Sequence, residues 1–204
     1  MSEHNQETEA KFYVRNLERI RSSIQNLKAR LIQSRVLETI TRFDLPGAKL
    51  RAEGRVLRLR RDTAVRLTYK SAGTNEQGVL SREEIEFVVG DFEKAKQFLE
   101  ALGFQKLVYY EKYRTTYQFE ETLIMLDELP YGNFVEIEGE KIESIRAVAN
   151  QLNLRWETAI GTSYQDLFER ARQNMNLSFE DLSFANFKSR NVEARDLEVQ
   201  VADN

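Results

Sequence analysis

In "ETEAKFYV", residues 7–14, Glu7, Glu9 and Lys11 occupy every second position, and Thr8, Ala10, Phe12 and Val14 fill the gaps. A strand sends alternate side chains to opposite faces, so this segment carries one ionic face and one largely apolar face. The pattern returns throughout the chain. "RVLRLRRD" sets Arg58 and Arg60 against Leu57 and Leu59, and "AVRLTYK" sets Arg66, Thr68 and Lys70 against Val65, Leu67 and Tyr69. "SREEIEFVV" groups Arg82, Glu84 and Glu86 opposite Ile85 and Phe87, while "YEKYRTTYQF" aligns Lys112, Arg114 and Thr116. "IMLDEL" contributes Asp127, "NFVEIEG" contributes Glu136 and Glu138 against Val135 and Ile137, and "LETITRFDL" places Glu38, Arg42 and Asp44 on one parity.

For any one strand, a solvated polar face over an apolar core is the simplest explanation. Taken together, the strands say otherwise. Solvent faces ordinarily mix Thr, Ser, Gln and Lys, whereas these are almost purely Arg, Lys, Glu and Asp. The alternating segments span 7–14, 34–44, 55–61, 64–71, 79–89, 105–119, 122–129 and 133–138, joined by short polar links such as "RDTA" and "SAGTNEQG". These links predict antiparallel hairpins in an α+β fold, and an antiparallel sheet of this size tends to curl or close.

Four stretches have helical periodicity. Leu17, Ile20, Ile24, Leu27 and Leu31, behind an Asn16 cap, predict a helix near 16–32. "DFEKAKQFLEALG" starts at an Asp91 cap and stops at Gly103; "KIESIRAVANQL" and the Ser163-capped "SYQDLFERARQN" give two more. If these helices lie outside the apolar face, the charged face lines the interior. From "LSFEDLSFANFKSRNVEARDLEVQVADN" the sequence predicts a C-terminal extension over 175–204, partly docked and then mobile from about Lys188. The remainder, 1–174, reads as one domain.

An interior holding many charges of both signs is costly unless they pair with each other or with a ligand. Clustered Arg and Lys suit phosphate oxygens, and clustered Glu and Asp suit a hard divalent cation. A metal-bound chain of phosphates satisfies both, which points to metal-assisted phosphoryl or nucleotidyl transfer. Other chemistries are excluded more directly. With no cysteine there is no thiolate nucleophile, disulfide or zinc–thiolate site, and the single histidine, His4, sits in an N-terminus expected to fray. The chain has no Walker A loop, GxGxxG or HExxH. Its 30 basic and 33 acidic side chains give a net charge of −3, which favours neither nucleic acid nor an anionic membrane as partner. No apolar run is long enough for a signal peptide or a membrane span, so the expected location is the cytoplasm.

The residues resemble the CYTH superfamily, also called the triphosphate tunnel metalloenzymes. "ETEAK" matches the family's N-terminal ExExK signature. The match continues in family order through "RFDLP", "VLRLRRD", "RLTYK", "SREEIEF", "EKYRTTY", "LDELPYGNFVEIEG" and "TSYQDLF", over roughly residues 7–170. The resemblance implies an eight-stranded antiparallel barrel that binds a triphosphate group inside with Mg²⁺ or Mn²⁺. It implies metal ligation by Glu7, Glu9, Glu136 and Glu138. Lys11, Arg58, Arg60, Lys70, Lys112 and Arg114 match the bases that grip phosphate, with Arg66 and Arg82 expected at the rim. Glu84, Glu86 and Asp127 match further acids that hold a second metal or orient water, and Lys11 is expected close to the chemistry. The helix at "TSYQDLF" resembles the one that closes an end of the tunnel in some members.

Arg42 stands where many members carry an aromatic residue, which makes this tunnel more basic and adds Arg42 to the candidate phosphate-binding set. Bacterial cyclases of the family carry a His-Phe pair upstream of ExExK, whereas here His4 precedes Asn5. The expected activity is therefore metal-dependent hydrolysis of a small-molecule triphosphate. Adenylyl cyclase activity is the first alternative and a non-catalytic triphosphate-binding module the second. Homodimers are common in the family.

Overall fold

The computed structural model describes residues 6–76 and 78–203; His4 and Asn5 lie outside the described residues. β1 (Gln6–Val14) is followed by α1 (Leu17–Asn26), β2 (Arg30–Asp44), α2 (Lys49–Ala52), β3 (Val56–Arg61) and β4 (Val65–Lys70). Then come β5 (Thr74–Glu76), β6 (Val79–Val89), α3 (Phe92–Ala101), β7 (Gln105–Phe119), β8 (Thr122–Leu129) and β9 (Gly132–Glu138). The chain ends with α4 (Ile142–Gln151), α5 (Tyr164–Met175) and α6 (Phe184–Phe187).

Hydrogen bonding runs β1-β9-β8-β7-β2-β3-β4-β6, and β6 pairs back to β1. The predicted eight-stranded antiparallel sheet therefore closes into a ring, through a register that sets Glu7 opposite Arg82 and Glu9 opposite Leu80. The short β5, read from sequence as part of a link, adds a ninth strand beside the first residues of β6.

Closure divides each strand's two parities between outside and inside. Outside β1, β8 and β9, Phe12, Val14, Leu126, Val135 and Ile137 meet Ile20 and Ile24 of α1 and Ile145, Val148 and Ala149 of α4. Outside β2 and β3, Phe43, Leu57 and Leu59 meet Leu99 of α3 and Leu50 of α2. Asp44, at the end of β2, shares its strand parity with Glu38 and Arg42 but serves α2 instead. Its carboxylate accepts from the backbone N–H groups of Leu50 and Arg51 at 2.8 and 2.9 Å. The cover is incomplete. Ile85 and Phe87 of β6 remain exposed, so the helices do not mask the whole outer face.

Three expectations need adjustment. The first helix ends at Asn26 rather than near residue 32, because Lys28 takes φ 58° and Ala29 N–H bonds back to the Ile24 carbonyl, the closing pattern of a helix C-terminus. Leu31 then joins β2 opposite Tyr117, where it is exposed. Second, α5 does not lie on an outer face with the other helices but takes the place that the resemblance of "TSYQDLF" to a tunnel-closing helix implies. Its Tyr164, Leu167 and Phe168 pack against Tyr13, Ile40, Val108, Tyr110, Leu129 and Phe134, residues on the inward parity of their strands, so α5 plugs one end of the ring. Third, the tail read as mobile from Lys188 is tied down. Leu197 and Ala202 are fully buried, Ala202 N–H donates to the Tyr13 carbonyl at 2.8 Å, and the Asp203 carboxylate accepts from the Arg15 and Asn16 N–H groups at 2.7 and 2.8 Å. Its few apolar side chains are spaced to fill gaps around α5, a tertiary fit with no local periodicity.

Candidate active site

The ring encloses a cavity of about 410 Å³. Every residue singled out from the sequence lines it except Asp127: Glu7, Glu9 and Lys11 from β1, Arg42 from β2, Arg58 and Arg60 from β3, Arg66 and Lys70 from β4, Arg82, Glu84 and Glu86 from β6, Lys112 and Arg114 from β7, and Glu136 and Glu138 from β9. Further lining residues were not among the candidate site residues. Glu38 and Thr116 were noted from the sequence only for the parity they share with Arg42 and Arg114. Tyr110 and Asp62 sit on a strand and a hairpin end, and Thr162, Ser163 and Tyr164 come from the plug, where no strand alternation reveals them.

The plug is stitched to the wall by backbone and side chain alike. Ile160 N–H donates to the Lys11 carbonyl at 2.8 Å, Lys11 Nζ donates to the Thr162 carbonyl at 3.2 Å, and the Tyr131 hydroxyl donates to the Tyr164 carbonyl at 2.8 Å. Lys11 Nζ also lies 4.3 Å from the centre of the Tyr164 ring, a cation–π distance. A Cβ on Gly161 would sit 1.8 Å from Asn75 Nδ2, which donates to the Gly161 carbonyl at 2.9 Å, so a side chain here would displace Asn75 from that bond.

Asp127 stands behind the wall, fully buried, with both carboxylate oxygens hydrogen-bonded. Lys112 Nζ at 2.9 Å and the Tyr164 hydroxyl at 2.8 Å donate to Oδ2, and Arg114 Nε donates to Oδ1 at 2.6 Å. A carboxylate held this way orients the two cations, and its Oδ2 already accepts from three donors.

Elsewhere the wall is a lattice of ion pairs. Lys70 Nζ lies 2.5 Å from Glu7 and 2.8 Å from Glu84, and Arg82 Nε lies 3.1 Å from Glu7. Arg58 reaches Glu86 at 3.2 Å and Glu84 at 3.5 Å, Arg60 reaches Glu86 at 3.1 Å, and Arg66 pairs with Asp62. Lys11 lies 3.2 Å from Glu136, which also binds Arg114, and Lys112 approaches Glu38 at 3.6 Å. Burial raises the Glu7 and Glu38 carboxyls, but neighbouring Lys70 and Arg82 in one case, and Lys112, Arg114 and Arg60 in the other, more than offset it and hold both near a pKa of 2.

Two acids and one base in the cavity are left over. Among the described residues, Glu9 and Glu138 have no ion pair or hydrogen bond, although they face each other across β1 and β9. Among the same residues Arg42 has no carboxylate partner, and burial together with Arg51 and Arg82 lowers its pKa. Burial and the charges of Glu7 and Glu9 push Glu138 up to about 7, and burial with Glu136 raises Glu9. No group of three or more acidic or histidine side chains converges on a metal position among the described residues. Two adjacent unpaired carboxylates nonetheless fit a magnesium-like ion, which typically takes one or two carboxylates and completes its shell with phosphate oxygens and water.

The elevated Glu138 carboxyl has a consequence for the metal-free protein. Between pH 4.5 and about 7 the folded state binds more protons at this site than the unfolded chain, so its contribution lowers stability as pH rises through that window. Glu138→Gln is expected to remove this component: its melting temperature in chelator should exceed that of the unaltered chain more at pH 7.5 than at pH 5. An equal difference at both pH values would show that Glu138 titrates normally.

The sequence profile described as the CYTH domain matches residues 5–170. A search of curated protein sequences gave no match. Among solved structures, a provisionally designated adenylate cyclase from Vibrio parahaemolyticus superposes with a TM-score of 0.72 at 20% identity, covering 82% of this chain and 99% of its own. A Pyrococcus horikoshii protein gives 0.67 at 26% identity, covering 78% and 96%. A Hippeastrum protein, also provisionally designated an adenylyl cyclase and described as having a dominant triphosphatase activity, gives 0.55 at 19% identity, covering 95% and 100%.

Proposed function

Because the chain belongs to the CYTH domain family, we propose that it is a divalent-metal-dependent hydrolase of triphosphate-containing compounds, with inorganic triphosphate as the simplest substrate. One observation carries this. In a cavity where the other ionic side chains are paired, the leftover charges among the described residues are two adjacent carboxylates, Glu9 and Glu138, and one guanidinium, Arg42. That demand is met by a ligand with a cation at one place and an anion at another. Binding a polyanion alone would need no unpaired acids.

Glu9 and Glu138 would hold the Mg²⁺ or Mn²⁺, with Glu7 and Glu136 flanking them. The ion, when bound, supplies neutralisation of phosphate oxygens and a lowered pKa for bound water. The chain's own bases do the rest. Lys11, Lys70, Arg58, Arg82 and Arg114 exchange part of their carboxylate pairing for phosphate oxygens and neutralise charge that grows on the leaving phosphate. Arg60 and Arg66, beside the Asp62 hairpin, steer the anion inward, and Lys112, locked on Asp127, keeps the wall rigid. Glu84 is raised by burial and by Glu7 despite its pairs with Lys70 and Arg58, so it is better suited to take a proton from attacking water than Glu86, which holds Arg58, Arg60 and the Thr68 hydroxyl.

The triphosphatase activity described for the Hippeastrum protein is of this kind. The cyclase designation shared by two of the similar structures supports a second reading, in which a ribose hydroxyl replaces water as nucleophile. Both belong to the chemistry of the family, and product analysis separates them. With Mg²⁺ or Mn²⁺, inorganic triphosphate is expected to release orthophosphate, and ATP to give little or no cyclic AMP. Cyclic AMP and pyrophosphate as the main products from ATP would replace hydrolysis with the cyclase reading.

A further inference from the structure

Arg42 is the exception among the cavity's bases, each of the others holding at least one carboxylate within the wall. It belongs to β2, and in the ring β2 is four strands from β1 in either direction, on the opposite side of the bore from Glu9. Its cross-strand partner is another arginine, Arg58. Among the described residues no carboxylate lies within ion-pair distance of it: Tyr110 lines the cavity here, Asp166 of α5 acts on Arg42 from farther off and is itself paired with Arg51 at 3.6 Å, and Arg51 and Arg82 add positive charge. Beyond this point the bore is filled by the apolar plug of α5. A half-buried guanidinium with no carboxylate bonded to it is poorly compensated until an anion arrives.

We propose that Arg42 forms an anion subsite at the closed end of the cavity, which takes the phosphate farthest from the Glu9–Glu138 pair and thereby sets the minimum length of phosphate chain. This rests on the triphosphatase reading and adds a polarity to it. The chain lies across the bore, one end coordinated on the acid side and the terminal phosphate lodged on Arg42. The interior of an eight-stranded ring is wide enough for one small ligand, and the length-setting role requires that an extended three-phosphate chain reach both walls where a shorter one does not. An organic group attached to the triphosphate then lies on the acid side, away from the plug.

Calorimetric binding of sodium tripolyphosphate and of pyrophosphate, each with Ca²⁺, to the unaltered chain, Arg42→Gln and Arg42→Met tests this. The unaltered chain should favour tripolyphosphate. Both variants should weaken tripolyphosphate about tenfold or more, the scale of a lost charge-assisted contact, and leave pyrophosphate within about twofold. Their melting temperatures without ligand should be unchanged or higher, since an unpaired half-buried charge has been removed. Equal losses for the two ligands would make Arg42 a general attractor, and no loss for either would make it a wall residue; either result overturns the length-setting role. Failure of the unaltered chain to bind tripolyphosphate at all would instead remove the triphosphatase reading on which the subsite rests. Variants that melt well below the unaltered chain would show that Arg42 is held by the fold, against the unpaired-charge premise.

Discussion

Asp127→Ala is expected to lower the melting temperature of the metal-free protein by about 6–20 °C. The side chain is fully buried and receives Lys112, Arg114 and Tyr164 together. Removing it strands an ammonium and a guanidinium charge inside the ring and leaves a buried hydroxyl without its acceptor. Breaking a buried ion pair by deleting one partner costs about 3–5 kcal/mol, because the remaining charge loses its compensation. For a chain of 204 residues each kcal/mol shifts the melt by about 2–4 °C, which gives the expected range. Glu38 and Glu136 also touch these cations and recover part of the loss, which favours the lower half of the range. Differential scanning calorimetry with chelator present checks it. A shift under about 2 °C, the scale of an exposed pair, would mean that water reaches Lys112 and Arg114 and that the wall is not a rigid lattice.

The same residue shows how far the strands could be read without coordinates. Alternation gave away the inward face of β1, β3, β4, β6, β7 and β9, because a charge at every second position is a local signal that survives any arrangement of the strands. Asp127 sits on that face too, yet its partners Arg114, Lys112 and Tyr164 are 13, 15 and 37 residues away in other elements. No pattern within "IMLDEL" distinguishes a buried orienting carboxylate from one that meets substrate. The split of Glu7, Glu9, Glu136 and Glu138 into two paired and two unpaired acids was equally invisible. It depends on Lys70 and Arg82 reaching Glu7, and on Lys11 and Arg114 reaching Glu136, which are contacts set by ring closure and strand register.

The four longer helices were legible, the first of them misplaced at its end, whereas the four-residue α2 and α6 are too short to show a period. Leu31 continues the apolar spacing of α1, and that stretch contains no Gly or Pro to stop it; Lys28 in the left-handed region ends the helix, at a conformational cost that β2–β7 pairing offsets. To periodicity alone the role of α5 was hidden for a different reason, and only the family resemblance of "TSYQDLF" pointed to it. Its apolar stripe fits the outside of a sheet or the end of a ring equally well, and the apolar residues at the inward ends of the strands, Tyr13, Val108, Leu129 and Phe134, reveal which one holds. The docked tail has the same character: Leu197, Val201 and Ala202 are too sparse to announce an element, but each meets a gap already shaped by α5 and β1.

Replacing both Glu9 and Glu138 with glutamine should separate stability from function. The two carboxylates face each other without a cation, so neutralising them relieves repulsion, and the double variant should melt at or above the unaltered chain in chelator. With ligand the order should reverse. A ligand that binds only the folded state stabilises it by RT ln(1 + [L]/Kd), about 2.7 kcal/mol at a hundredfold excess over Kd. For the unaltered chain with Ca²⁺ and tripolyphosphate this corresponds to a rise of about 5–10 °C. The double variant keeps its bases and should retain the part of that rise seen with tripolyphosphate alone, but gain nothing from added Ca²⁺. Its Mg²⁺-supported turnover should fall by more than about 100-fold, since weakening even a supporting contact of a metal site costs up to that factor. A double variant that melts well below the unaltered chain in chelator would show that Glu9 and Glu138 are satisfied within the fold. A double variant with normal metal response would move the ion elsewhere in the cavity, to Glu84 and Glu86 of β6.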